Sequence, residues 1–138
     1  MSRCCSSKSA DYTKNNHNQL CRFIQIERKD AIDQLDEIMK NPYIDGYIFG
    51  PNDLSGSYDM LGDVFSDHIT QVMQDTIARL HAQGKYVGIA SGGFSEEVLR
   101  HWNSFRPDML CAGADFDFIR DGAVRNRMNL ERIHKNAE

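Results

Sequence analysis

The chain reads as an α/β domain with a parallel sheet, built from about four βα units. Three observations carry that prediction. The hydrophobic period switches repeatedly between two and 3.6 residues, the alternation of strand and amphipathic helix. Short connections join the segments, as in parallel strands linked by right-handed crossovers. The length of 138 residues suits one domain. It is too short for a complete (β/α)8 barrel, which needs at least about 200 residues.

Residues 1–21 are rich in Ser, Lys, Asn and Gln and form a polar N-terminal segment, in which only 10–20 has helical character. Residues 22–27 (RFIQIE) alternate, with Ile24 and Ile26 on one side and Phe23, Gln25 and Glu27 on the other, as in a strand. Over 30–40, Ala31, Leu35, Ile38 and Met39 share a helical face, and Pro42 ends it. Residues 44–50 (IDGYIFG) form a second strand, and 51–62 read as a loop. Ser66 is placed to cap a long helix carrying Ile69, Val72, Met73, Ile77 and Leu80, closed by Gly84. A third strand over 85–90 (KYVGIA) leads into the turn Ser91-Gly92-Gly93. Ser95 then opens a helix with Val98, Leu99, Trp102 and Phe105 inward. Residues 108–112 (DMLCA) are a fourth strand, and Asp115 begins a terminal helix with a charged tail. Without an internal linker, residues 22–138 read as one domain.

Composition excludes several functions. Twenty acidic against 16 basic side chains give a net charge of −4, with no clustered Lys/Arg surface for nucleic acid. No apolar run approaches the roughly 20 residues of a membrane span, and the start (MSRCCSSK) lacks the apolar stretch of a secretory signal. The four cysteines show no zinc-type spacing, so reduced thiols in the cytoplasm are expected.

In parallel α/β folds, ligands bind at the carboxyl ends of strands. Gln25 and Glu27 lie at the first such end, on one side of the pleat, and Asp53 follows the second. One strand, one crossover and the return separate Glu27 from Asp53, and neighbouring strands lie about 4.8 Å apart. Two carboxylates and an amide in one volume form an all-oxygen set suited to Mg²⁺ or Mn²⁺. Spacing alone also allows Glu27 to pair with a nearby Arg and Asp53 to cap its own turn.

The run Gln25-Ile26-Glu27, in register with IDGYIFGPNDLS over 44–55, resembles the paired motifs of the HpcH/HpaI aldolases, which are metal-dependent pyruvate aldolases related to the citrate lyase β-subunit. The resemblance extends to GKYVGI over 84–89, to Gly113-Ala114-Asp115, and back to a helix over 12–20. It implies a partial (β/α)8 barrel, the carboxyl half with about four βα units. By that resemblance Glu27 and Asp53 hold a divalent cation, Mg²⁺ or Mn²⁺ with Co²⁺ as a further candidate. Gln25 helps hold the pyruvyl group. The backbone from Gly50 through Pro51 and Asn52 to Asp53 receives the carboxylate. The implied reaction is cleavage of a 2-keto-4-hydroxy acid to pyruvate and an aldehyde.

The family's general-base histidine and its arginine belong to the first half of the barrel, so the catalytic base is not expected in this chain. His17, His68, His81, His101 and His134 do not match that histidine. No lysine sits at a strand's carboxyl end, which disfavours Schiff-base chemistry. A second expectation is a non-catalytic half-barrel assembling with itself or with a complementary half, because four βα units leave two open edges. A third is phosphate binding at the Ser91–Gly93 turn, weighed against a plain turn with an N-cap. Ser55 and Ser57 read as loop hydroxyls, Trp102, Phe105 and Phe116 as packing residues, and the basic tail from Arg120 as a solvated face.

Overall fold

The computed structural model describes residue 14 and residues 20–136. The helix expected over 12–20 therefore lies, but for residues 14 and 20, outside the described residues, as do Cys4, Cys5 and His17. Four strands, β1 (Phe23–Ile26), β2 (Gly46–Phe49), β3 (Tyr86–Ala90) and β4 (Met109–Cys111), form one sheet in the order β1-β2-β3-β4. Every pairing is parallel. The helices are α1 (Lys29–Asp33), α2 (Leu35–Ile38), α3 (Pro51–Ser57), α4 (Asp67–Ala82), α5 (Glu96–Asn103) and α6 (Asp115–Lys135).

The register assigns the two faces. Ile26, Phe49, Ile89 and Leu110 lie in one row, Ile24, Tyr47 and Val87 in the next. In a parallel sheet such rows project to one side. On that side Ile26, Tyr47, Phe49, Val87 and Ile89 are fully buried, packed with Leu35, Leu54, Ile69, Met73, Leu80 and Trp102. The opposite side carries Phe23, Gln25, Ile48, Tyr86 and Met109 and stays partly open, with Tyr86 62% exposed. Gly46 is buried there because the Phe23 ring lies across it, where a Cβ would overlap the ring.

Helix α4 has the expected signals. Ser66 Oγ accepts from the Ile69 N–H at 3.4 Å, the acidic Asp67 lies in the first turn, and Gly84 takes φ +67° after the last turn. The single helix expected over 30–40 is instead two short pieces. Gln34 sits between them at φ −97°, ψ 9°, and neither piece has a side-chain N-cap. Asp33, a weak helix former, immediately precedes the junction.

The loop expected over 51–62 contains α3, a correction with a clear cause. Pro51 occupies the first helical position, where its fixed φ and missing N–H cost nothing. Ser55 and Ser57 donate back to the carbonyls of Asn52 and Leu54, each at 2.7 Å. Burial of Leu54 and Ser55 then holds the turn against the core. Phe116, expected to pack, is 65% exposed, and α6 has no buried residue along its 21 positions. Among the described residues no helix is long and apolar enough to cross a membrane.

At the amino ends of β3 and β4 one carboxylate joins three segments. Asp108 Oδ2 accepts from the Val87 N–H at 2.8 Å and lies 3.1 Å from His81 Nε2. The Val87 N–H chiefly, and His81 beside it, hold the Asp108 carboxyl below its ordinary range, against the opposing effect of desolvation. A depressed carboxylate stabilises the fold above its unfolded-state pKa, and that contribution is lost as pH falls through the folded value. Asp108→Asn should therefore lower the urea midpoint at neutral pH. The gap from the parent should shrink as both are taken through the carboxylate range. A gap that stays constant with pH would contradict this role.

Candidate functional site

The carboxyl ends of β1, β2 and β3 open into one cavity of about 470 Å³. Its polar end is made by Gln25 from β1 and by Gly50, Asn52 and Asp53 at the start of α3. The turn after β3, with Ser91 and Gly92, forms its floor. Val64 and Phe65 from the segment before α4, with Val98 and Trp102 from α5, make an apolar wall.

Parallel pairing of β1 with β2 places the carboxylates. Gln25 lies opposite Ile48 and Ile26 opposite Phe49. The ladder continues as the Gly50 N–H donates to the Ile26 carbonyl at 3.2 Å. Glu27 and Asp53 thus flank Gly50 from the two sides. The position a Cβ on Gly50 would take lies 3.2 Å from Glu27 Oε2 and 3.8 Å from Asp53 Oδ2. Gly50 leaves open the space in which the two carboxylates converge, and a side chain there would press on Glu27.

The alternatives for these carboxylates are not what the structure shows. Arg28, next in sequence to Glu27, pairs with Asp30 at 2.9 Å. Among the described ion pairs none includes Glu27 or Asp53. Asp53 stands in the first turn of α3, where the N-terminal end of the helix favours negative charge. No third His, Cys, Asp or Glu among the described residues groups with these two as a metal-holding cluster. Glu27 is not among the cavity-lining residues; its carboxylate lies beside Gly50.

Of the backbone N–H groups from Gly50 to Leu54, two are uncommitted. The Gly50 N–H is committed to Ile26, Pro51 has none, and the Leu54 N–H bonds to the Gly50 carbonyl at 2.9 Å. The Asn52 and Asp53 N–H groups remain, as first-turn donors without an intrahelical acceptor.

Three of the described histidines are engaged outside the cavity. His81 pairs with Asp108, and His68 packs edge-on against Tyr58 at 5.0 Å. His101 packs among Phe65, Trp102 and Phe105 at 4.6 to 5.2 Å, where burial pushes its pKa down. Among the described residues no histidine lines the cavity. The Ser91 hydroxyl is shared between the carbonyls of Gly93 and Cys111, the latter at 2.8 Å. Gly92 takes φ +66° and Ser95 caps α5 through the Val98 N–H. Ser91–Gly93 is thus built as a turn and cap, with its hydroxyl already engaged.

The apolar wall is the part of the site that sequence reasoning missed. Trp102 reads as core and is fully buried, yet one surface of it faces the cavity. Phe65 stacks on it, with ring centroids 5.4 Å apart and planes at 27°. The only signal in the sequence is an aromatic residue placed directly before the Ser66 cap.

Comparison with known proteins places the chain in a family. The family model described as HpcH/HpaI aldolase/citrate lyase matches residues 1–102. The chain is 35% identical over 126 residues to a 2-keto-3-deoxy-L-rhamnonate aldolase of Escherichia coli, covering 91% of this chain and 46% of that one. It is 29% identical over 105 residues to a hydroxypyruvate/pyruvate aldolase of Roseovarius nubinhibens, covering 76% and 40%. It therefore spans less than half the length of these two relatives. Among solved structures, an HpcH/HpaI aldolase/citrate lyase family protein from Burkholderia cenocepacia superposes with a TM-score of 0.76 at 22% identity. That alignment covers 89% of this chain and 47% of the other. The HpcH/HpaI aldolase from Desulfitobacterium hafniense gives 0.74 at 18% identity, with coverage of 89% and 47%. The consecutive parallel βα units are a partial (β/α)8 barrel, and the chain belongs to the HpcH/HpaI aldolase/citrate lyase family.

Proposed function

We propose that this chain carries the cation- and pyruvate-binding part of an aldolase-type carbon–carbon lyase acting on a 2-keto-4-hydroxy acid. The observation that carries the reading is the convergence of Glu27 and Asp53 on the side-chain-free space at Gly50, beside a cavity lined by Gln25. The donors fit a hard divalent cation, Mg²⁺, Mn²⁺ or Co²⁺. Two anionic oxygens approach one point, and the remaining positions are left for water and substrate. The relatives, aldolases of hydroxypyruvate/pyruvate and of a 2-keto-3-deoxy acid, support a 2-keto acid as ligand.

Glu27 and Asp53 would hold the cation, which when bound supplies Lewis-acid polarisation of a keto oxygen and its carboxylate. The Asn52 and Asp53 N–H groups offer hydrogen bonds to the substrate carboxylate, and the Gln25 amide lies alongside to orient the keto group. In the reaction the C4 hydroxyl gives up its proton and the C3–C4 bond breaks, releasing C4 as the aldehyde carbon. The electron pair passes to C3 and onto the keto oxygen, and C3 then takes a proton to give pyruvate. No residue of this chain is proposed as the proton acceptor for the C4 hydroxyl. Residues 22–138 act as one unit in this reading, and Cys21 and Cys111 as thiols fit a cytoplasmic setting.

Calorimetry on the folded chain tests the site. Pyruvate should bind only in the presence of Mg²⁺ or Mn²⁺, and Glu27→Ala and Asp53→Ala should each abolish that binding. Pyruvate binding that ignores the cation, or survives both substitutions, would overturn the proposal. Gly50→Ala should weaken cation binding about tenfold by displacing the Glu27 carboxylate, a change of about 1.4 kcal/mol. An unchanged affinity would remove the steric role given to Gly50.

A second reading, assembly with another copy or a complementary half-barrel, is favoured by one observation. β1 and β4 are both sheet edges, and the open face between them exposes Phe23 and Tyr86. Sedimentation velocity should show a species larger than the 15.8 kDa monomer. A monodisperse monomer across the concentration range would contradict it.

A further inference from the structure

We infer that the wall formed by Phe65, Trp102, Val64 and Val98 selects 2-keto acids whose distal end is apolar and aromatic. The inference rests on the proposed function, since it assigns one wall of the same cavity. Three observations lead to it.

The cavity is larger than its polar end requires. At about 470 Å³ it falls in the range that encloses drug-sized ligands, and a three-carbon pyruvyl unit fills only a small part of it. The remaining space belongs to whatever is attached beyond C3.

The side of the cavity formed by Phe65, Trp102, Val64 and Val98 offers a polar tail little to bind. The Trp102 indole N–H is committed to the Ser91 carbonyl at 3.1 Å, and the Ser91 hydroxyl is committed to main-chain carbonyls. Val64 and Val98 have no polar side-chain atoms. A polyhydroxylated tail would give up hydration there without replacement hydrogen bonds. An aromatic tail would instead lie against aromatic and aliphatic surface.

Phe65 is built for such contact. It is 49% exposed, yet held in place by stacking on Trp102 and by an edge contact with His101 at 4.8 Å. An aromatic ring fixed at a cavity mouth with half its surface bare is available for a ligand's apolar group. This sets the site apart from one built for a sugar acid such as that named for the Escherichia coli relative.

Trp102 is the one tryptophan of the chain, so its fluorescence reports on this wall. The full chain with saturating Mg²⁺ is titrated with pyruvate, with 2-oxo-4-phenylbutanoate and with a polyhydroxylated 2-keto-3-deoxy acid. The phenyl compound should bind about tenfold or more tighter than the polyhydroxylated acid. Phe65→Ala should remove most of that difference, and Phe65→Leu should retain part of it. Pyruvate binding with equal or tighter binding of the polyhydroxylated acid would overturn the inference alone. So would a Phe65→Ala chain that keeps the full preference. Absence of pyruvate binding in a folded sample would overturn the proposed function and this inference with it.

Discussion

The parallel register of β1 on β2 is the constraint on which the rest of the site depends. With Ile26 opposite Phe49, the first residues past each strand arrive together, Glu27 from one and Gly50 from the other. A shift of one residue would turn Glu27 toward the helices and bring a different residue to the Gly50 position. The register is secured from the buried side. Ile26, Phe49 and Ile89 form one fully buried row under Leu54, Ile69, Met73 and Trp102, and slipping any strand would expose its member of that row. Core packing and ligand geometry are therefore set by the same alignment, seen from opposite faces of the sheet.

Gly50 and Pro51 convert that register into a site. Gly50 completes the β1–β2 ladder through its N–H and leaves room for two carboxylates. Pro51 then starts α3 at once, so Asn52 and Asp53 fall in a first turn with unpaired N–H groups. Glycine and proline here act as a close-approach residue and a helix starter, not as markers of a loose loop. The same pairing of structural and ligand-facing duties recurs at Trp102. Its N–H fixes the turn after β3 while one surface faces the cavity.

Strand order, parallel pairing and the placement of Glu27 and Asp53 just past neighbouring strands were legible in the sequence because they follow from local period and from the rule that consecutive parallel strands neighbour each other. The caps at Ser66 and Ser95 were legible for the same local reason. Helix α3 was not, because three serine and glycine positions over 55–57 carry a loop composition. Its stability comes from side-chain hydroxyls bonding back to carbonyls and from burial of Leu54. The break at Gln34, where neither piece has a side-chain cap, leaves the apolar periodicity unchanged and so is not registered by it. The Phe65 wall depends on how residues 58–66 lie over α5, a tertiary fact with no period in the chain. Phe116 misled because an aromatic in a helical pattern normally signals core, whereas α6 has no buried face in the described chain.

The central claim, that Glu27 and Asp53 share one cation beside Gly50, is tested most directly by anomalous diffraction from crystals of the chain soaked in Mn²⁺. The account predicts a single strong anomalous peak at the carboxyl ends of β1 and β2, within about 2.2 Å of a carboxylate oxygen of each residue. A peak ligated by neither residue, with both side chains ordered and the cavity accessible to solvent, would contradict it.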